Sequence, residues 1–168
     1  DRFDFDSLRI GIQPFISDFR GFLFQDSPAG IRLFGTRGNN RYQYNIAAFR
    51  RIEKDTNSGL NNVFEGGSDV LRDDDIFVAN FYAQDFPVLG FTAQGIVLYN
   101  RNREGDDVFF DDNGFIQRPS SLGLGVGTDY DVIYVGANGD GHFGTWNLTT
   151  SLYAAVGSLN QLVTIDGT

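Results

Sequence analysis

Arg9, Arg32 and Arg41 are the side chains in this sequence best suited to meet a solute. A guanidinium offers a rigid planar fork that matches carboxylate, sulfate and phosphate oxygens two at a time. All three interrupt apolar alternation on one face of their segments. Gln43 and Gln94 occupy comparable polar positions, and Arg51 ends the segment that Arg41 begins. The other chemically able groups are acids. Asp106-Asp107 and Asp111-Asp112 read first as solvated loop charge, with no metal expected; hard oxygen donation to a divalent cation is the sharper alternative, weak at Asp111 and Asp112 because no stretch has the EF-hand spacing. His142, beside Asp140, is the only histidine, and its setting among glycines reads as a turn.

Catalytic sets are not found. With no Cys and a single His, thiolate catalysis and Cys- or His-based metal clusters are excluded. The serines lie in no Gly-x-Ser-x-Gly elbow, and no glycine loop leads into Lys-Ser or Lys-Thr. A carboxylate pair of the glycosidase kind needs only spatial proximity, so spacing does not decide it. Asn147-Leu148-Thr149 matches a glycosylation sequon but falls inside a strand pattern. The expectation is a protein that is not an enzyme and carries no cofactor.

The elements that must position these residues are β-strands. Of 22 acidic residues only Glu53, Glu65 and Glu104 are glutamates, and Lys54 is the one lysine among 13 basic residues. The chain thus lacks the usual helix formers, while 21 Gly and 17 Phe suit turns and strands. A net charge of −9 argues against a nucleic-acid partner, which needs a basic surface to displace counterions. No stretch approaches the ~20 apolar residues of a membrane helix, although a barrel strand needs only ~9–11 of alternating character. The 168 residues suffice for one all-β domain, 1–168.

Seven runs carry β character: 8–13, 31–36, 41–51, 88–100 and 144–156 alternate, 31–36 less strictly, while 76–84 and 130–137 are apolar on both faces; a weak eighth lies at 161–165. Gly38-Asn39-Asn40, Asp85-Phe86-Pro87 and Asn138-Gly139-Asp140-Gly141 read as short turns. The stretches 53–75, ending in Arg72-Asp73-Asp74-Asp75, and 101–129 read as long polar loops. In an antiparallel meander alternate connections share an end, so every short turn falls at one end and every long loop at the other. Membrane barrels have that asymmetry. The spacing predicts an up-and-down transmembrane β-barrel, or a seven- to eight-strand section of one. Arg9, Arg32, Arg41, Gln43, Arg51 and Gln94 would line its lumen. Leu8, Ile10, Ile12, Tyr42, Tyr44, Phe91, Val97, Trp146 and Leu148 would face lipid, the aromatics among them as interfacial girdles.

The run Leu8-Arg9-Ile10-Gly11-Ile12-Gln13-Pro14-Phe15, then Asp18-Phe19-Arg20-Gly21, then Gly30-Ile31-Arg32-Leu33-Phe34, resembles the first strand, loop and returning strand of large substrate-specific Gram-negative outer-membrane porins, alginate-export channels in particular. The resemblance covers about the first quarter of the chain. It implies an outer-membrane location, lipid as the surrounding partner, and passive diffusion of small hydrophilic or anionic solutes through a polar lumen. Such porins carry roughly 14–18 strands, and this sequence ends Asp166-Gly167-Thr168 rather than on an aromatic residue, so a section of a larger barrel or oligomeric assembly is expected. Two other readings stay open: a secreted soluble β-sandwich that stacks sugars on Trp146 or tyrosines, and a barrel that conducts nothing and serves structure or assembly.

Overall fold

The computed structural model describes residues 4–52, 71–103 and 127–162. Seven strands form one antiparallel sheet in the order β1 (Phe5–Ile12), β4 (Ala29–Arg37), β5 (Tyr42–Ile52), β6 (Leu71–Gln84), β7 (Phe91–Asn102), β8 (Gly127–Phe143) and β9 (Trp146–Leu162). Between β1 and β4, β2 (Phe15–Ile16) and β3 (Gln25–Asp26) pair only with each other. Among the described residues there is no helix and the sheet does not close: there, β1 pairs only with β4, and β9 only with β8. The fold is therefore all-β and antiparallel, as an open sheet.

Each of the first seven runs has a place in this sheet, but two connections differ from expectation. Asn138 to Gly141 is not a turn. It lies inside β8, and the chain reverses at Gly144-Thr145. The reason is packing: a Cβ on Gly139 would stand 2.4 Å from the Phe91 ring, and one on Gly141 would stand 2.2 Å from the Gly90 carbonyl oxygen. These glycines make room for neighbours rather than bending the chain. Likewise Arg72-Asp73-Asp74-Asp75 belongs to β6, where Asp75 pairs with Arg50 of β5 at 2.7 Å. Cross-strand ion pairing lets a charged run continue a strand. The remaining parts of the long connections, including Asp106, Asp107, Asp111 and Asp112, lie outside the described residues, as do 163–165 of the eighth run.

The short turns nevertheless all fall at one end, at Gly38–Arg41, Asp85–Gly90 and Gly144-Thr145. Gly38, Asn39 and Asn40 have φ of 63°, 60° and 68°, left-handed backbone that Gly and Asn tolerate best. The Asp85 carboxylate accepts the Gly90 N–H at 2.8 Å and closes the next turn.

Residues 13–28 do not leave the sheet as an ordinary loop. They fold back across one face as a strap. Pro14 and Pro28 bracket it, and the Gln13 N–H donates to the Pro28 carbonyl at 3.0 Å across its neck. Phe15 and Phe24 bury their rings against Ala47, Phe49, Ile76, Val78, Ile96 and Leu98, and the Phe15 and Phe49 centroids are 5.0 Å apart. Burying each phenyl contributes about 1.5–3 kcal/mol. This cluster is the main core among the described residues, and it lies on the strap side.

Candidate functional site

The strap divides the sheet into a covered face and a bare face, and the candidate residues sort between them. On the covered face, polar side chains from successive strands meet at the strap's turn. Arg32 donates from Nε to Asn45 Oδ1 at 2.8 Å, and its Nη2 donates to the same oxygen. Asn45 Nδ2 donates to Asn80 Oδ1 at 2.8 Å. Asn80 Nδ2 and Gln94 Nε2 each donate to the Ser17 carbonyl at 2.8 Å, and Asn138 Nδ2 donates to Gln94 Oε1 at 2.9 Å. The Gln94 amide also reaches the Tyr82 hydroxyl at 2.8 Å. Amides carry both donor and acceptor, so those of four strands, with Arg32 on a fifth and the Ser17 carbonyl between Asn80 and Gln94, form one relay. Ser17 is fully buried. The relay fixes the strap's position because a buried carbonyl with its donors removed loses free energy.

Asp18 organises the strap itself. Its carboxylate accepts N–H groups from Arg20 at 3.0 Å, Phe22 at 3.1 Å and Leu23 at 3.0 Å, and the Ser17 hydroxyl at 3.0 Å. Burial pushes this acid up, but the Leu23, Phe22 and Arg20 amides and the Ser17 hydroxyl together hold it below its ordinary value. Phe19 meets the Tyr82 ring edge-on and Phe22 stacks on Tyr153, with ring centroids 5.5 and 5.3 Å apart.

Arg9 and Arg32 are opposite each other on β1 and β4, and both guanidiniums lie over the Phe34 ring, at 5.7 and 4.5 Å. Gln43 is half-buried on the same face, and Gln94 is buried in the relay. Arg51 reaches the buried Asp74 at 3.1 Å and lies over Phe24. Arg41 departs from expectation. It sits in the β4–β5 turn, outside the sheet, because the left-handed residues before it delay the start of β5.

The bare face is organised differently. Cα partners run straight across all seven strands, so whole rows can be read. One row is Leu8, Leu33, Ile46, Ala79, Val97, Val135, Ala154. The next toward the long connections is Ile10, Ile31, Ala48, Phe77, Tyr99, Ile133, Val156. These side chains are unusually exposed for their type, with Ile10 at 70% and Val156 at 76%. Among the described residues no second layer covers them. Beyond them, β5 to β8 present Arg50, Asp75, Arg101 and Asp131 in a single row of alternating charge, and Arg103 and the Tyr99 hydroxyl bond Asp131.

The apolar stripe is oblique. On β1 it comprises Ile12, Ile10 and Leu8 and stops at Asp6, which pairs with Arg37 and Tyr44. On β9 it starts lower, with Val156, and continues through Ala154, Leu152 and Leu148 to Trp146. Tyr42, Tyr44, Val97, Leu148 and Trp146 all stand on this face with Leu8, Ile10 and Ile12. Phe91 shares the register but not the exposure: at 7% exposed it is buried over Gly139 and edge-on to Phe143. The lipid-facing role expected of its ring is corrected to filling a notch.

Sequence reasoning missed Ser17, Asp18, Asn45, Asn80 and Asn138. For the three asparagines the signal was amides recurring on the face opposite the apolar stripe, which emerges only once register is known; Ser17 and Asp18 lie in the strap, outside the sheet. Among the described residues no group of three His, Cys, Asp or Glu is placed to hold a metal ion. Compared with protein-family models, curated proteins and solved structures, the chain matches none.

Proposed function

We propose that this sheet is part of the wall of an outer-membrane β-barrel channel, with its bare face against hydrocarbon and its covered face toward an aqueous lumen. The oblique apolar stripe carries the reading. Barrel strands tilt by ~35–45°, so a band of constant depth must slide along the register from one strand to the next. A water-exposed sheet has no reason to keep its apolar residues on the uncovered side, nor to slant them. The stripe on β9, from Leu148 to Val156, spans ~9 residues, the length a tilted crossing strand needs. The charged row from Arg50 to Asp131 then lies at headgroup depth on the long-loop side, and Trp146 lies near the opposite interface.

In this reading the strap narrows the lumen, and small hydrophilic or anionic solutes pass by diffusion beside it. Selectivity comes from width and from charged linings. Arg9, exposed on the covered face, is the cation best placed to act on a passing anion. No bond is made or broken in the solute, and no cofactor takes part.

Extraction and planar-bilayer conductance test the proposal together. The protein is expected to need detergent for release from membranes and to conduct in a bilayer. Arg9→Glu is expected to shift the reversal potential toward cation preference. A protein that purifies in plain buffer as a stable monomer overturns the membrane reading and favours the soluble sandwich. Detergent dependence without conductance overturns the channel and leaves a structural barrel.

A further inference from the structure

We infer that the free edges of β1 and β9 are completed by an odd number of further β-strands that are not copies of this sheet. The inference rests on the membrane reading above and goes beyond it in naming what covers the edges. Each of the seven strands is antiparallel to its neighbours, so β1 and β9 run in the same direction. Hydrocarbon offers no water to unpaired backbone N–H and C=O groups, so neither edge survives bare in a membrane.

Two simple closures fail. Joining β9 to β1 of the same chain makes a parallel seam and a seven-stranded barrel. A barrel of ~8 strands has an interior just wide enough for side chains, yet the covered face carries the whole strap, with its own backbone and the buried rings of Phe15 and Phe24. A second copy in the same orientation makes a wider barrel but two parallel seams, whose slanted hydrogen bonds pair less stably. An inverted copy gives antiparallel edges only by sending its long connections to the opposite side of the membrane.

An odd complement removes each difficulty. It meets both edges antiparallel, brings the total to an even number, and leaves room for the strap. Its chemistry is set by what it continues. On the bare side it carries apolar residues beside Leu152, Ala154 and Val156 and beside Leu8, Ile10 and Ile12, all exposed at the two edges.

Photo-crosslinking in the native membrane tests this. Benzoylphenylalanine is placed in turn at Ala154 and Val156 on β9 and at Leu8 and Ile10 on β1, and adducts are located by mass spectrometry. Besides adducts to the paired neighbours on β8 and β4, adducts are expected on peptides outside residues 4–162. Moving the probe two residues toward the C-terminus is expected to move the adduct toward the N-terminus of its partner, at both edges. An adduct within 4–162 on any strand other than the probe's direct neighbour (β8 for β9, β4 for β1), a shift in the same direction at either edge, or no protein adduct beyond β4 and β8 overturns the inference. Oxidation of the Leu8→Cys/Leu33→Cys pair, Cα partners on β1 and β4, reports separately that the sheet has formed. Failure of that pair removes the sheet and the membrane reading with it.

Discussion

Ala137→Arg separates a face in hydrocarbon from a face in water. Ala137 lies on the bare side of β8, exposed, between Gly95 of β7 and Leu152 of β9. It falls within the stripe that β8 carries from Ile133 onward. Gly95 has no side chain, and a Cβ there would meet nothing within 4 Å, so a long side chain at 137 has room. Steric cost is therefore small, and the solvent decides the outcome. Arginine on the lipid face near the bilayer midplane costs about 2–4 kcal/mol. At 1.4 kcal/mol per decade, this is about a 30- to 700-fold loss in the folding equilibrium constant. On a water-exposed sheet the same change falls within about 0.5 kcal/mol of zero. Ser158→Arg, in the charged row, supplies the reference: at interface depth the cost is about 0–1 kcal/mol. Urea titration of folding into lipid vesicles, with both variants and the parent, measures the difference. An Ala137→Arg protein within about 0.5 kcal/mol of the Ser158→Arg protein refutes the placement of hydrocarbon against this face.

Three further outcomes are expected. Trp146, the single tryptophan and 76% exposed near the short-turn end, should be quenched more by lipids brominated near the headgroup than by lipids brominated at the chain end; efficient quenching by aqueous acrylamide would contradict this. Asp18→Asn places an amide donor against the Leu23 or Ser17 donor, and the lost charge-assisted bond costs about 1.5–3 kcal/mol. Because Asp18 is held below its ordinary value, its contribution to strap stability is fully present above about pH 4 and is lost as pH falls through the lowered value. Limited proteolysis of residues 13–28 should show this acid-induced loosening in the parent and not in Asp18→Asn. Removing both strap anchors, Asn80→Ala with Gln94→Ala, leaves the Ser17 carbonyl without its two donors, and single-channel records should gain conductance and noise; an unchanged trace would show that the strap does not narrow the path.

Strand positions were legible because a one-sided burial pattern has period two, which β5, β6 and β7 show most clearly. What misled was chemistry with two uses. Asn138 to Gly141 has the composition of a turn, yet its glycines admit the Phe91 ring and the Gly90 backbone. Arg72 to Asp75 has the composition of a loop, yet Arg50 and Arg51 on β5 supply partners for Asp75 and Asp74. The strap was hidden for a different reason. β2 and β3 are two residues each, too short for any periodicity, and their anchors are dispersed over β6 and β7. Arg9 and Arg32 could be placed on one face from spacing alone, whereas their shared seat on Phe34 required the β1–β4 register.

The strap also imposes a chronology on assembly. It is synthesised between β1 and β4, but the groups that hold it come from Asn80 and Gln94, much later in the chain. It cannot settle until β7 has joined the sheet. In the barrel proposed above, it could not settle after the cylinder had sealed either, since two phenyl rings and a folded backbone would then have to enter through the mouth. Seating therefore belongs to the interval in which the wall is still an open, curling sheet.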